Sequence, residues 1–186
     1  MELKDIPHKV FYRNIKYPRL EFGSGKLHFI LPLGKKPEAI YRKHKKWIIK
    51  KIEFIEECLN EASNVNTAER TYKEFKELIY YLVAEAANEM KLEINKVTLR
   101  MMKTKWASSS SKRNLTINKL MKYLPEHLIK YIIYHEITHF KQKKHNDEFW
   151  KIISKKFHDY KKLERDLFIY WFKLAGEGLF PGMLLS

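Results

Sequence analysis

The first third of the chain carries short runs in which apolar and polar residues partly alternate. Three such runs, interrupted by glycine and proline, predict strands: KVFYRNIKY, RLEFGS and KLHFILPLG. The segment Gly23–Gly25, which reads GSG, predicts a hairpin turn between the second and third of these strands. The N-terminal part of the chain is therefore expected to be β-rich.

Helical spacing of apolar residues dominates from residue 37 onward. Pro37 is predicted to open the first helix, because proline is favoured at the first helical position. The apolar residues of this helix recur on one face and should be buried: Trp47, Ile48, Ile52, Ile55 and Leu59. A second helix is predicted to follow Asn66 or Thr67, with an apolar stripe from Phe75 to Ala86.

Two further strands and three further helices complete the pattern. KVTLRMMKTKWASSS is predicted to be a strand that runs into a serine turn, and RNLTINKLM a second strand that pairs with it as an antiparallel hairpin. Pro125 opens the helix PEHLIKYIIYHEITHFKQ. Asn146 is the predicted N-cap of the helix DEFWKIISKKFHDY, and KLERDLFIYWFKLA is the last helix.

This order of elements predicts an α+β fold. We expect a β-rich lobe over residues 1–36, a catalytic domain over 37–165, and a C-terminal helix with an apolar tail over 166–186. The length of the apolar segment LFIYWFKLAGEGLFPGMLLS favours a homodimer contact, or docking onto the domain, over insertion into a membrane.

Composition narrows the class of protein. An apolar fraction of 45% and an aromatic fraction of 14% exclude a disordered chain. Cys58 is the only cysteine, which excludes an internal disulfide and a multi-cysteine zinc cluster. The first residues contain no apolar segment typical of a secretory signal. These features together predict a cytoplasmic protein.

The net charge of +15 attracts anions. Lysine supplies 30 of the 37 basic residues, however, and lysine is a poorer bidentate ligand for phosphate than arginine. The basic residues also fall on several predicted helices. We therefore expect nucleic acid to bind at most weakly and without sequence specificity.

The stretch YHEITHFKQKKH carries the candidate chemistry. His135 and His139 are four residues apart, so on a helix their rings project from one face and can bind one zinc ion. Glu136 points partly to the side, where its carboxylate can act on a water molecule as a general base. His145 can reach the same ion only if the chain leaves the helix around Gln142–Lys144 and turns back. Three histidines would leave one tetrahedral position for water.

Residues 102–150 resemble the YgjP-like family of zinc metallopeptidases, which is related to the SprT and WLM proteins. Thr104–Trp106, Ile117–Asn118 and Phe149–Trp150 match three of the family's motifs, and HEITH matches a fourth. The resemblance implies a zincin-like fold, one zinc ion per chain, metal ligands at His135, His139 and His145, and a base at Glu136. It also implies that the strand over 97–106 aligns an extended peptide. The family's Gly-Ser-Cys is Ala107–Ser109 here, which leaves the role of that cysteine without a counterpart.

Three further residues are candidates for substrate binding: Trp106, Ser108 and Asn118. Trp106 could equally be a core residue at the end of a strand, and Asn118 could orient a histidine or cap a turn. The serines at 108–111 fit a solvated turn better than a serine nucleophile, since no histidine–acid pair accompanies them.

The sequence thus supports a zinc-dependent hydrolase whose substrate is a peptide or protein. A metal-dependent hydrolase of a small phosphorylated molecule and a nucleic-acid-associated module are the two alternatives, and the basic surface is compatible with both.

Overall fold

A computed structural model describes residues 2–23 and 26–179. The elements divide into two compact units, one of Met1–Ser63 with Phe172–Ser186 and one of Asn64–Trp171. The fold is α+β, as predicted. Among the described residues, no helix is both long and apolar enough to cross a membrane. Most of the apolar tail, from residue 180 on, lies outside the described residues, so the homodimer contact predicted for it stays a prediction.

The first unit contains three strands and a long helix. Strands β1 (His8–Tyr12), β2 (Arg19–Gly23) and β3 (Lys26–Leu31) form a sheet in the order β1-β3-β2. The antiparallel register of β2 and β3 pairs Gly23 with Lys26, as expected for a hairpin, and β1 runs parallel to β3. Helix α1 spans Pro37–Ala62 and starts at the proline, as predicted.

The buried face of α1 differs in part from the predicted one. Ile48 is fully buried, but the neighbouring Trp47 is 49% exposed, and its ring lies 6.1 Å from that of Phe22. The core of this unit is built from Ile6, which precedes β1, from three residues of β3 and from two residues of the helix: Ile6, Leu27, Phe29, Leu31, Tyr41 and Ile48. Helical spacing identified the stripe, but tertiary packing decided that Trp47 lies at its margin.

Helix α2 (Tyr72–Met90) begins five residues later than the earlier of the two predicted starts. Thr71 is the N-cap and forms a capping box with Glu74, in which each side chain binds the other's backbone N–H. The residues just before Thr71 form hydrogen bonds with the segment over 122–124 and do not continue the helix. The backbone N–H of Ala68 donates to Tyr123 O, and the Arg70 guanidinium donates to the carbonyl oxygens of Lys122 and Leu124.

The sheet of the second unit differs from the predicted hairpin. Strands β4 (Lys96–Arg100), β5 (Ala107–Ser109) and β6 (Asn114–Asn118) lie in the order β4-β6-β5. Only β5 pairs antiparallel with β6, whereas β4 is parallel to it. The segment predicted as one strand is therefore two strands on opposite edges of the sheet. The chain can turn between them because the buried Asn118 side chain bonds to the backbone of Met102 and Lys105.

Three helices complete this unit. Helix α3 (Glu126–Thr138) packs against α2 and β5 and contributes the largest share of the core. Helices α4 (Asp147–Lys156) and α5 (Tyr160–Gly176) follow, with the part of α5 up to Trp171 in this unit. Several α3 residues are completely buried: Leu128, Ile129, Tyr131, Ile133 and Ile137. A helix so firmly packed provides a rigid support for the residues at its carboxyl end.

Candidate metal centre and active site

The carboxyl end of α3 carries the first two histidines. His135 lies in the last turn of the helix and His139 is its C-cap, with ring centroids 5.1 Å apart. One further helical hydrogen bond, 2.9 Å from the Gln142 N–H to Thr138 O, continues the turn. Helix α3 itself ends at Thr138, earlier than the exit predicted around Gln142–Lys144, and the chain turns back over the residues that follow.

The third histidine returns to the same point. Asn146 caps α4, as predicted, by accepting a 3.0 Å hydrogen bond from the Phe149 N–H, and His145 directly precedes it. His145 Nε2 lies 2.9 Å from His135 Nε2. One ring nitrogen from each of His135, His139 and His145 lies within 4.8 Å of the other two.

Aromatic packing fixes the rotation of these rings. Phe149 is completely buried beneath them, with its ring centroid 4.9 Å from that of His135 and 4.7 Å from those of His139 and His145. Trp150 stacks on His145 at 5.6 Å. Phe149 and Trp150 matched one of the family's motifs. Their rings pack against the histidine cluster and help to hold it in place.

The chemistry of the three nitrogens fits a zinc ion. Burial lowers the pKa of His135 to about 3, with further lowering by His139 and His145, and burial together with His139 lowers the pKa of His145. His139 Nδ1 lies 3.1 Å from the Gln142 carbonyl oxygen and can donate to it, which leaves Nε2 as the nitrogen available to a metal ion. The Nε2 atoms of His135 and His145 are close enough to share a proton or to bind one common cation, and imidazole nitrogen is a ligand that suits zinc.

Glu136 lies beside the cluster, where its carboxylate has a defined hydrogen-bond partner. Burial raises the pKa of Glu136, whereas the Ser109 hydrogen bond, His139 and Lys105 act in the opposite direction. The Ser109 hydroxyl donates to Glu136 Oε2 at 2.8 Å. Ser109 was predicted to belong to a solvated turn, and it instead lies half-buried in β5. Its alignment with the family's cysteine was the one sequence signal that could have identified it.

Glu164 is a second carboxylate that the sequence did not identify. Its Oε1 accepts a hydrogen bond from the hydroxyl of Tyr131 and lies 3.7 Å from His135 Nδ1. Tyr131 precedes His135 by one helical turn, and burial with the Glu164 interaction raises the pKa of its hydroxyl. A carboxylate behind a metal-binding histidine commonly fixes the ring and its tautomer.

These groups line one pocket with a volume of about 860 Å³. Trp106 and Ser108 also line it, and their role in substrate binding stays a prediction. The Trp106 ring packs edge-on against Trp171 at 5.1 Å, so this residue belongs both to the pocket wall and to the packing of the unit. The strand at the pocket is β5, an edge strand packed against α3, and not the whole of 97–106.

Asn118 does not belong to the pocket. It is 0% exposed, and its side chain makes four hydrogen bonds inside the protein. Oδ1 accepts from the N–H groups of Met102 and Leu120, and Nδ2 donates to the carbonyl oxygens of Met102 and Lys105. Of its two structural alternatives, the turn cap is the one observed. Its contribution is to hold the segment that carries Lys105 and Trp106.

The sequence defines the class of protein to which this site belongs. Residues 59–169 match the metallopeptidase domain of the YgjP-like family. The match covers more than half of the 186 residues, so the chain belongs to the YgjP-like family, and the resemblance identified from its motifs is confirmed.

Two solved structures are similar to part of the chain. One is the metallopeptidase zymogen abylysin of Pyrococcus abyssi, with 25% identity over 48% of this chain and 90% of that one, at a TM-score of 0.45. The other is the metallopeptidase zymogen jannalysin of Methanocaldococcus jannaschii, with 29% identity over 48% and 92%, also at a TM-score of 0.45. No curated protein sequence matches significantly.

Proposed function

We propose that this protein is a cytoplasmic, zinc-dependent peptidase that binds one zinc ion per chain. The observation that carries the proposal is the convergence of three histidine ring nitrogens within 4.8 Å, next to a half-buried glutamate in the same pocket. Membership of a metallopeptidase family supports the reaction class. The single cysteine, Cys58, is buried, which is in keeping with a reducing compartment.

The proposed ligands are His135, His139 and His145, and the proposed base is Glu136. When bound, a zinc ion supplies Lewis acidity, which acidifies water and polarises a carbonyl group. Ser109 donates to Oε2 of Glu136 and orients the carboxylate, which is the proposed acceptor of a proton from water. Glu136 then passes this proton to the leaving amide nitrogen, as a general base that becomes a general acid. Burial favours this exchange because it brings the pKa of Glu136 upward, towards neutrality.

Strand β5 offers a way to align the peptide. It lies at the edge of its sheet, and Ala107, Ser108 and Ser109 all line the pocket. An extended substrate that adds to such an edge gains backbone hydrogen bonds without a requirement for a particular sequence. The proposed substrate is therefore a peptide or a flexible segment of a protein.

A metal-replete activity screen tests this proposal. We expect cleavage within a panel of peptides and unfolded proteins, and none of phosphorylated metabolites. Glu136→Gln is the control, because glutamine keeps the shape of the side chain but cannot accept the proton. We expect the variant to retain zinc and fold while turnover falls by orders of magnitude. Cleavage of phosphorylated metabolites alone, or equal peptide turnover by the variant, would contradict the proposal.

A further inference from the structure

Three cationic side chains from separate segments surround the mouth of the pocket. Lys105 lies between β4 and β5, Arg113 in the turn between β5 and β6, and Lys143 in the segment that joins His139 to His145. All three are exposed. In a chain of net charge +15, exposed lysines are common. The convergence of three cations on one cavity is the feature that calls for an explanation.

None of the three forms an ion pair with a carboxylate in the described part of the chain. The two carboxylates that line the pocket already have partners. Glu136 accepts from Ser109, and Glu164 accepts from Tyr131. Lys105 acts electrostatically on Glu136 without forming an ion pair with it. The positive charge of Arg113 and Lys143 at the pocket mouth is therefore available to an incoming anion, and Lys105 adds to it.

Arg113 is held in a costly backbone conformation. Its φ of 56° lies in the left-handed region, which costs an ordinary residue about 1–2 kcal/mol and favours glycine or asparagine. Its N–H donates to Ser110 O at 2.9 Å, and its carbonyl accepts from the Asn95 N–H at 3.0 Å, so the turn enforces this conformation. An arginine at such a position brings a guanidinium to the pocket mouth, where it can bind a carboxylate through two hydrogen bonds.

We propose that this pocket selects peptides that carry acidic side chains beside the bond to be cleaved, with Lys105, Arg113 and Lys143 as the residues that recognise them. This inference rests on the proposed peptidase function and adds the substrate class to it. The apolar side chains in the pocket wall favour a peptide over a nucleic acid: Trp106, Ile132, Phe140 and Leu167. A cavity of about 860 Å³ is also of the size that accepts a few side chains rather than a helix of nucleic acid.

Binding measurements test the proposal without requiring turnover. Fluorescently labelled peptides in matched pairs, with Asp and Glu or with Asn and Gln, are titrated with the Glu136→Gln protein. We expect the acidic member to bind about tenfold more tightly, with the difference shrinking at high salt because screening weakens exposed charge pairs. Arg113→Gln, Lys143→Gln and Lys105→Gln should each weaken the acidic peptide about threefold and leave the amide peptide unchanged.

The chain offers a matched control for each of these variants. Lys112, Lys144 and Lys103 lie one or two residues from the pocket cations and are exposed, but do not line the pocket. Their Gln variants should bind both peptides as the parent protein does. Equal binding of the two peptides would overturn the proposal, as would equal losses in the control variants or preferential binding of a single-stranded oligonucleotide.

Cleavage by the parent protein separates this inference from the peptidase function. If acidic peptides bind preferentially but no peptide is cleaved, the inference stands and the proposed reaction fails. If both members of a pair bind equally and are cleaved equally, the reaction stands and the inference is overturned.

Discussion

Ser109 and Glu136, 27 positions apart in the sequence, are joined by a 2.8 Å hydrogen bond in which the serine hydroxyl donates to the carboxylate. The resemblance aligns this serine with the family's cysteine; in this chain a hydroxyl on β5 contacts the proposed base. The bond orients the carboxylate, and the Ser109 backbone also interacts with it.

Ser109→Ala should lower kcat about tenfold, because the base loses a charge-assisted hydrogen bond that orients it. That bond also lowers the pKa of Glu136, so its removal should move the acid limb of the kcat/KM profile to higher pH. Steady-state kinetics across pH measure both effects. Zinc content should not change, and Ser154→Ala, on α4, is the control. An unshifted acid limb would show that Ser109 does not act on the base.

Removal of a ligand should remove the metal. The protein as purified should carry about one zinc per chain, and His139→Ala should lose most of it, since two protein ligands remain. His127→Ala is the matched control, because His127 is exposed on the same helix and does not line the pocket. Elemental analysis measures the zinc. Equal zinc in the two variants would contradict the ligand assignment.

Glu164 should raise zinc affinity although it is not a proposed ligand. Glu164→Gln removes the charge near His135 Nδ1, and we expect the zinc Kd to rise about tenfold, as for other carboxylates behind ligating histidines. Competition with a chelating indicator measures this Kd. Glu126→Gln, at the exposed start of α3, should leave it unchanged. A Kd equal to that of the parent would assign Glu164 a purely structural role.

The metal-free protein should be acid-sensitive through its histidines. The folded-state pKa of His135, about 3, lies below the ordinary histidine pKa of 6.5, so the unfolded state binds more protons between these values. Stability conferred by neutral His135 is therefore present above pH 6.5 and is lost as pH falls towards 3, by on the order of 5 kcal/mol in all. The pKa of Glu136 is raised, so this group lowers the free energy of unfolding as the pH rises above 4.5.

Urea unfolding of chelator-treated protein between pH 7 and 4 measures this dependence. His135→Gln should flatten the profile, because glutamine does not titrate in this range. A variant with the same pH dependence as the parent would place the sensitive group elsewhere.

Asn118→Ala should destabilise the protein by about 3 kcal/mol, because it leaves several buried backbone groups without partners. Asn114→Ala, on the same strand, loses only an exposed bond to Asn95 and should cost less than about 1 kcal/mol. Free energies of unfolding from urea titrations compare the two. Similar small losses would show that the segment at Lys105 does not depend on Asn118.

Local signals in the sequence were enough to predict much of the site. The spacing of His135 and His139 fixes their relation through helix geometry alone, and the capping propensity of Asn146 correctly indicated where the chain restarts after His145. Ser109 and Glu164 escaped prediction because their roles arise from contacts between distant segments. No spacing rule relates Glu164 to His135, which is 29 residues earlier.

For the fold as well, features set by local sequence could be predicted, whereas features set by contacts between distant segments could not. Periodicity predicted the five α-helices of the described residues but not the short 3-10 helices Leu3–Asp5 and Lys119–Tyr123. The capping box at Thr71 and Glu74 could have located the start of α2. Strand pairing was harder to predict. The parallel pairing of β4 with β6 depends on the turn that the Asn118 side chain stabilises, and a hydrophobic pattern of period two carries no information about such a bond.

The direction in which α3 runs has an electrostatic consequence of its own. The peptide dipoles of the helix add up to about half a negative charge at its carboxyl end, which is the end that carries His135 and His139. This field favours a cation among the histidine rings whatever the ionisation state of the side chains. A helix of the opposite polarity with the same rings would oppose the cation. Chain direction thus contributes to metal affinity in a way that no side-chain substitution removes.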